Sequence, residues 1–236
     1  QLVKLNADSA IWKSSNEKIA TVDDYGNVKG ITPGKVTISA IIGEMELTYE
    51  VTIKLPFDDV NENGWFYNAV KYMKDNRYMS GTTETTYSPS SKLTRGMLVT
   101  ILHNMEGKPK ATGTSKFADV QNKNMYYYNA VLWASSNKIV NGYSNGKFGA
   151  DDNITREQLA VMLSNYCKYK GKYKATNANY SKFSDSGKIS GFAKTGMNWA
   201  VANNIVNGSN GKLNPQGTAN RAEAAAMIYN YCNRIK

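Results

Sequence analysis

Leu93-Thr94-Arg95-Gly96-Met97, Ile154-Thr155-Arg156-Glu157-Gln158 and Ala219-Asn220-Arg221-Ala222-Glu223 are three versions of one passage, and the passage reads as the start of a helix. Its second residue is Thr or Asn, whose side-chain oxygen can accept a hydrogen bond from a backbone N–H of the first turn. In the second and third copies a Gln or Glu stands three residues after the cap, the reciprocal arrangement of a capping box. The first copy has Met97 there and keeps only the cap. An amphipathic run follows each time. Leu98, Ile101, Leu102 and Met105 recur at helical spacing, as do Leu159, Met162, Leu163 and Tyr166, then Ala224, Met227, Ile228 and Tyr231. One such helix cannot bury its apolar face alone, whereas three equivalent helices can bury theirs against each other around a pseudo-threefold axis.

Upstream of each helix start the same features return in the same order. Eight residues before the arginine stands Tyr87, Phe148 or Leu213, and before that a small pair, Ser80-Gly81, Asn141-Gly142 or Asn207-Gly208. The glycine reads as the stop of a preceding helix, because it tolerates the left-handed conformation. Each unit opens on Phe57-Asp58-Asp59-Val60, Phe117-Ala118-Asp119-Val120 or Phe183-Ser184-Asp185-Ser186. The resulting period of roughly 60–66 residues suits a two-helix repeat with long loops. The predicted units are 56–112, 113–178 and 179–236.

Residues 1–55 follow another rhythm. Short alternating stretches, among them Val36-Thr37-Ile38-Ser39-Ala40, are broken by turns at Asp24-Tyr25-Gly26 and Pro33-Gly34, which predicts strands. Leu55-Pro56 is the expected junction. The charge divides at the same place. Residues 1–55 hold six Lys against seven Asp and Glu and net to −1, while the remainder carries +11 of the total of +10. A basic second part calls for an anionic partner.

Other chemistry finds little support. The two cysteines, Cys167 and Cys232, form no CxxC pair and no disulfide framework. Both stand eleven residues beyond their arginines, where unit one has Glu106, and they read as separate buried thiols. His103 sits in an apolar helical stretch and reads as structural. The run Asp59-Val60-Asn61-Glu62-Asn63-Gly64 begins like a calcium loop, but its twelfth position is Val70 instead of a bidentate Glu. There is no phosphate loop, nucleophile elbow or metal-ligand spacing. The basic residues are dispersed, without a nucleic-acid motif. No run of 18 apolar residues marks a membrane span. The expectation is a module that is not an enzyme, with no cofactor, no metal, no nucleic acid and no membrane partner.

The Phe-x-Asp-Val opening, the Asn-Gly turn and the Thr-Arg helix start resemble S-layer-homology domains, in three tandem copies over about residues 57–236. The family's commonest helix start is Ile-Thr-Arg-Ala-Glu. Each copy here departs from it somewhere, and every copy keeps the arginine. The resemblance implies a mainly α pseudo-trimer, a three-pronged spindle with a central three-helix bundle. It also implies that grooves between repeats bind secondary cell-wall polysaccharide non-covalently, through anionic pyruvyl ketals, and so hold exported proteins on the wall. The first 55 residues resemble the group 2 bacterial immunoglobulin-like domain through Trp12-Lys13-Ser14-Ser15-Asn16, Ile19-Ala20-Thr21-Val22 and Gly26-Asn27-Val28. That implies an all-β sandwich, here partial, since a complete domain would begin with a further strand before Gln1. The chain is therefore expected to be a monomeric module of a longer extracellular protein, whose other domains could include an enzyme. A protein-binding adhesin is the competing function.

Arg95, Arg156 and Arg221 are the leading site candidates. Each sits in the first turn of a helix, where unpaired N–H groups and the dipole favour an anion, and a guanidinium can grip a carboxylate with two bonds. Gly96, in the first turn of unit one, predicts a looser and weaker Arg95 site. Trp65 and Tyr127 are candidates to stack on sugar faces, with Tyr126 beside Tyr127. Trp133 and Trp199 read as core. Asp59, Asp119 and Asp185 are read as carbohydrate-binding residues or as caps of the first helix. Gly81, Gly142 and Gly208 are placed at the groove edge, where a small residue lets a ligand approach the backbone.

Overall fold

A computed structural model describes residues 10–235, and it divides into two compact units. The first comprises residues up to Val60 with Thr83–Thr86; the second comprises Asn61–Thr82 and the chain from Tyr87 onward.

In the first unit β1 (Ile11–Ser14), β4 (Gly34–Ile42) and β5 (Met45–Ile53) form an antiparallel sheet in the order β1-β4-β5, and β2 (Ala20–Val22) pairs with β3 (Val28–Gly30). Alternation sets the inward residues. Ala20, Val36 and Ile38 are buried, with Trp12, Ile19, Val22, Val51 and Ile53 packed around them. The expected turn at Gly26 has a steric reason. Its φ is +83°, and a Cβ there would lie 2.6 Å from the Trp12 ring. Asp23 closes the same turn by accepting the N–H groups of Tyr25 and Asn27.

The second unit is helical. Each repeat supplies a short first helix, α1 (Tyr67–Asp75), α3 (Tyr128–Ser136) or α5 (Lys194–Ala202), and a second helix, α2 (Arg95–Met105), α4 (Arg156–Tyr169) or α6 (Arg221–Arg234). The caps are those the sequence announces. Thr94, Thr155 and Asn220 accept the N–H of Met97, Gln158 and Glu223, and full capping boxes form in α4 and α6 only.

The stops of the first helices differ from expectation. The left-handed residue that ends each first helix is Arg77, Lys138 or Asn204, with φ of 58°, 59° and 54°, four positions before the glycine expected to take that role. In each case two backbone bonds close the helix end. Tyr78, Ile139 and Ile205 donate to Met73, Ala134 and Ala200, and the residue before each donates to Lys74, Ser135 and Val201. This is the Schellman arrangement, which satisfies carbonyls the last turn leaves open.

The three repeats are linked cyclically. The residues before the second helices hydrogen-bond in a ring: Leu93 N–H to Ala219 O (3.0 Å), Ala219 N–H to Ile154 O (2.9 Å) and Ile154 N–H to Leu93 O (2.9 Å). All three side chains are fully buried. Helix packing follows the same cycle. α2 packs on α3, α4 on α5 and α6 on α1, so a second helix packs chiefly on the first helix of the next repeat, and α4 also meets α6. The anticipated packing of second helix on second helix is thus the lesser part. Having neighbours on more than one side also explains why Val99, Ala160 and Ala225 are buried besides the expected stripe.

Candidate functional site

Each of the three arginines reaches out of its own repeat into the loop of the next. Arg95 is 4% exposed, and donates from Nε to Phe148 O and from Nη2 to Asn141 O, both at 3.0 Å. Its guanidinium lies over the Tyr143 and Phe148 rings at 4.7 and 4.8 Å. Arg221 donates from Nε to Tyr87 O (2.8 Å) and from Nη2 to Ser80 O (2.6 Å), and lies over the Tyr87 ring. Arg156 donates from Nε to Leu213 O (2.9 Å), while its Nη1 pairs with Glu223 Oε1 at 3.0 Å. The pattern closes the cycle again, with repeat one gripping two, two gripping three and three gripping one. Burial of Arg95 lowers its pKa from the ordinary arginine value, against the attraction of Tyr143, Asp152 and Asp119.

The aspartates work on the same peptide groups from the other side. Asp119 accepts the N–H groups of Phe148 and Gly149, each at 2.7 Å, and Asp185 those of Leu213 and Asn214, each at 2.8 Å. Thus the peptide flanks of Phe148 and of Leu213 are held by an aspartate of their own repeat and an arginine of the preceding one. Burial pulls the pKa of both carboxylates up, but the backbone N–H bonds outweigh it and leave both lowered. Asp119 and Asp185 therefore secure the loop ahead of the second helix instead of capping the first. Asp59, at the equivalent position, is exposed and belongs to the first unit.

The helix starts do not offer the open N–H groups that an anion would need. The N–H of Arg95 and Gly96 donate to Asp152 O and Ala150 O, those of Arg156 and Glu157 to Gly217 O and Pro215 O, and those of Arg221 and Ala222 to Ser91 O and Pro89 O. The third N–H of each goes to the cap. Loop carbonyls of the next repeat have taken the place of the anion. Gly96 is part of this contact. A Cβ on it would lie 2.9 Å from Ala150 O and 3.1 Å from the Tyr127 ring. The glycine permits a close approach, so the looseness expected of the Arg95 region loses its ground.

Grooves lie beside these clamps. One, of about 540 Å³, is lined by Arg95, Asn141, Gly142, Tyr143, Gln158 and Phe192 among others. A second, of about 1000 Å³, is lined by Trp65, Arg156, Gly208, Lys212, Glu223 and neighbours. Trp65 is 69% exposed and Phe192 64%. Tyr127, by contrast, is 4% exposed and packs against Gly96, while its neighbour Tyr126 is 57% exposed. The exposed aromatic of repeat two is therefore Tyr126. Trp65, Tyr126 and Phe192 stand 30, 30 and 29 residues before the three arginines. Counting back from the arginine would have found Phe192, which the motif reading passed over because the opening of repeat three has diverged.

Gly142 and Gly208 do sit at the groove edges, for a packing reason to which Gly208 adds a left-handed backbone with φ of +69°. A Cβ on Gly142 would lie 2.5 Å from both the Phe117 ring and Lys147 O, and one on Gly208 would lie 2.6 Å from the Phe183 ring and Lys212 O. Gly81 is half-buried. Trp133 and Trp199 are buried in the core, His103 is buried with Nε2 on Pro109 O, and Cys167 and Cys232 are free, the second only half-buried. One buried charge went unread. Glu157 is 3% exposed, and its two oxygens accept the N–H and O–H of Ser190, tying α4 to the turn before α5.

Comparison with known families finds the S-layer homology domain over residues 56–96, 116–160 and 182–225, and the bacterial Ig-like domain (group 2) over 4–53. An amylopullulanase of Thermoanaerobacterium thermosulfurigenes is 31% identical over 175 residues, 73% of this chain and 9% of that protein. The surface-layer 125 kDa protein of Lysinibacillus sphaericus is 28% identical over 176 residues, 72% of this chain and 14% of that protein. An endoglucanase of Bacillus sp. (strain KSM-635) is 28% identical over 174 residues, 73% of this chain and 18% of that protein. The chain thus spans less than a fifth of these relatives' length.

Proposed function

We propose, from the premise that this chain belongs to the S-layer homology domain family, that its inter-repeat grooves anchor a longer exported protein by binding secondary cell-wall polysaccharide without a covalent link. The family and its S-layer relatives place the chain at the cell surface, associated with the wall. The observation that carries the groove reading is the pair Trp65 and Phe192, one lining each groove, with Tyr126 at the equivalent point of repeat two. Each of the three is a large ring left more than half exposed at an equivalent point of its repeat. A ring of that kind is suited to an apolar sugar face.

In this reading the repeats form a three-pronged pseudo-trimer, and the arginines give each groove a basic wall while their bonds hold adjacent repeats together. A pyruvyl carboxylate is received best beside Arg95, whose bonds go to carbonyls. Beside Arg156 it must compete with Glu223. The cargo is open to one further reading. The amylopullulanase and endoglucanase matches favour a module that anchors a glycan-degrading enzyme. The test is a pull-down of the chain on purified wall polysaccharide, native and depyruvylated, with peptidoglycan as control. Retention by the native polymer alone supports the full reading. Equal retention by both polymers removes the pyruvyl part, and no retention on either removes the groove reading in favour of a protein-binding adhesin.

A further inference from the structure

Five asparagines of the chain stand directly before a glycine: Asn63, Asn141, Asn145, Asn207 and Asn210. Such a pair is chemically weak, because the glycine nitrogen can swing onto the preceding side-chain amide with no Cβ in its way. The structure sorts the five. The N–H of Gly64 is held by Asn61 O at 2.9 Å and that of Gly146 by Tyr143 O at 3.1 Å, so neither nitrogen is free to attack. The N–H groups of Gly142, Gly208 and Gly211 have no hydrogen-bond partner among the described residues, and Asn141, Asn207 and Asn210 are exposed.

Asn141 differs from Asn207 and Asn210 in what its main-chain carbonyl touches. Asn141 O accepts Arg95 Nη2 at 3.0 Å. A guanidinium on that oxygen draws electrons from the peptide group, which makes the Gly142 N–H more acidic and the carbonyl carbon more open to water. At the equivalent point of the next repeat, Arg156 turns its Nη1 to Glu223. In repeat one the corresponding carbonyl is that of Ser80, held by Arg221 Nη2, and a serine has no side-chain amide to lose.

We infer that Asn141-Gly142 is a self-modification site whose product gives Arg95 a carboxylate of the protein's own. The Gly142 nitrogen attacks Cγ of Asn141, the Cγ–Nδ2 bond breaks, and ammonia leaves with the proton, closing a succinimide. Water then opens the ring. Its attack at the former main-chain carbonyl, the one polarised by Arg95, breaks that carbon's bond to nitrogen and leaves an isoaspartyl link through Cγ. The carbonyl that accepted from Arg95 has become a carboxylate. Arg95 then resembles Arg156, which already holds Glu223, and the groove beside it loses its opening for an anionic ligand. Only that last consequence rests on the groove reading. The test holds the whole chain warm at mildly alkaline pH and follows each asparagine by peptide mass mapping, with isoaspartate resolved from aspartate. Asn141 should convert at least about threefold faster than Asn63, Asn145 or Asn207, and chiefly to isoaspartate. The Arg95 Nε resonance in NMR should shift in step with the conversion while that of Arg221 stays in place. Retention on native wall polysaccharide should fall with age in the wild type and fall less in Asn141→Ser, each compared with its own fresh sample. Conversion of Asn63 or Asn145 as fast as Asn141, aspartate as the main product at Asn141, or an unmoved Arg95 resonance overturns the inference. Conversion with retention unchanged removes the claimed loss of the groove. Conversion as expected, with no retention of even the fresh protein, removes the groove reading and leaves the modification site standing.

Discussion

Replacing Arg95 with Ala should destabilise the helical unit before it affects any ligand. The side chain is 4% exposed and holds two carbonyls of the neighbouring repeat. Hydrogen bonds from a charged donor contribute about 1.5–3 kcal/mol each, and the contacts over Tyr143 and Phe148 about 0.5–2 kcal/mol. Against this stands the relief of a buried cation, which costs several kcal/mol to desolvate. The net loss is expected at about 2–4 kcal/mol, because two carbonyls are also left without partners. For a unit of this size that lowers the melting temperature by about 5–15 °C. Thermal and urea unfolding followed by far-UV circular dichroism would read it. Arg95→Lys should recover less than half, since an ammonium keeps the charge but cannot span both carbonyls. An Arg95→Ala variant that melts with the wild type and yet loses polysaccharide binding would refute the clamp, and would make the arginine a ligand-gripping residue.

Gly96→Ala should also destabilise, by about 1–3 kcal/mol in urea unfolding, although Ala is the better helix former, because the new methyl meets Ala150 O. Trp65→Ala should weaken binding to wall polysaccharide about three- to tenfold by calorimetry and leave the melting temperature unchanged, since the ring is 69% exposed. Asp119 and Asp185 carry pKa values lowered in the folded state from the ordinary 3.8. Their stabilisation is present above the unfolded pKa and is lost as pH falls through the folded one. The acid limb of a stability–pH curve should therefore lie below about pH 4, and the double variant Asp119→Asn/Asp185→Asn should flatten that limb.

Much of the helical unit was legible because its signals are local. A Thr or Asn cap followed by Gln158 or Glu223 three residues on depends on one turn of backbone, and the threefold recurrence of that turn announces the repeat. The glycines were harder to read. Gly142 and Gly208 stand where a left-handed stop is expected, but the helices end four residues earlier, and a phenylalanine ring 25 residues upstream closes on each glycine, of which only Gly208 is itself left-handed, with φ of +69°. Of Arg77, Lys138 and Asn204, the left-handed residues that end the first helices, the first two have nothing in composition to mark them. Among the aromatics, Tyr126 and Tyr127 are adjacent and chemically the same. Only the packing of one against Gly96 decides which faces water.

Sequence alone determined the three repeats, the caps of their second helices, the strand-forming start of the chain and the basic character of everything after residue 55. Each of these is a property of neighbouring residues or of their recurrence. Tertiary structure decided what the recurring arginines and aspartates touch. A guanidinium at a helix start has the same local surroundings whether it faces a solvent groove or the backbone of the next repeat. Here the loops 141–152, 213–217 and 80–91 fill the places an anion would have taken. Their carbonyls arrive from residues tens of positions away, and the exposed rings Trp65 and Phe192 are left to line the grooves.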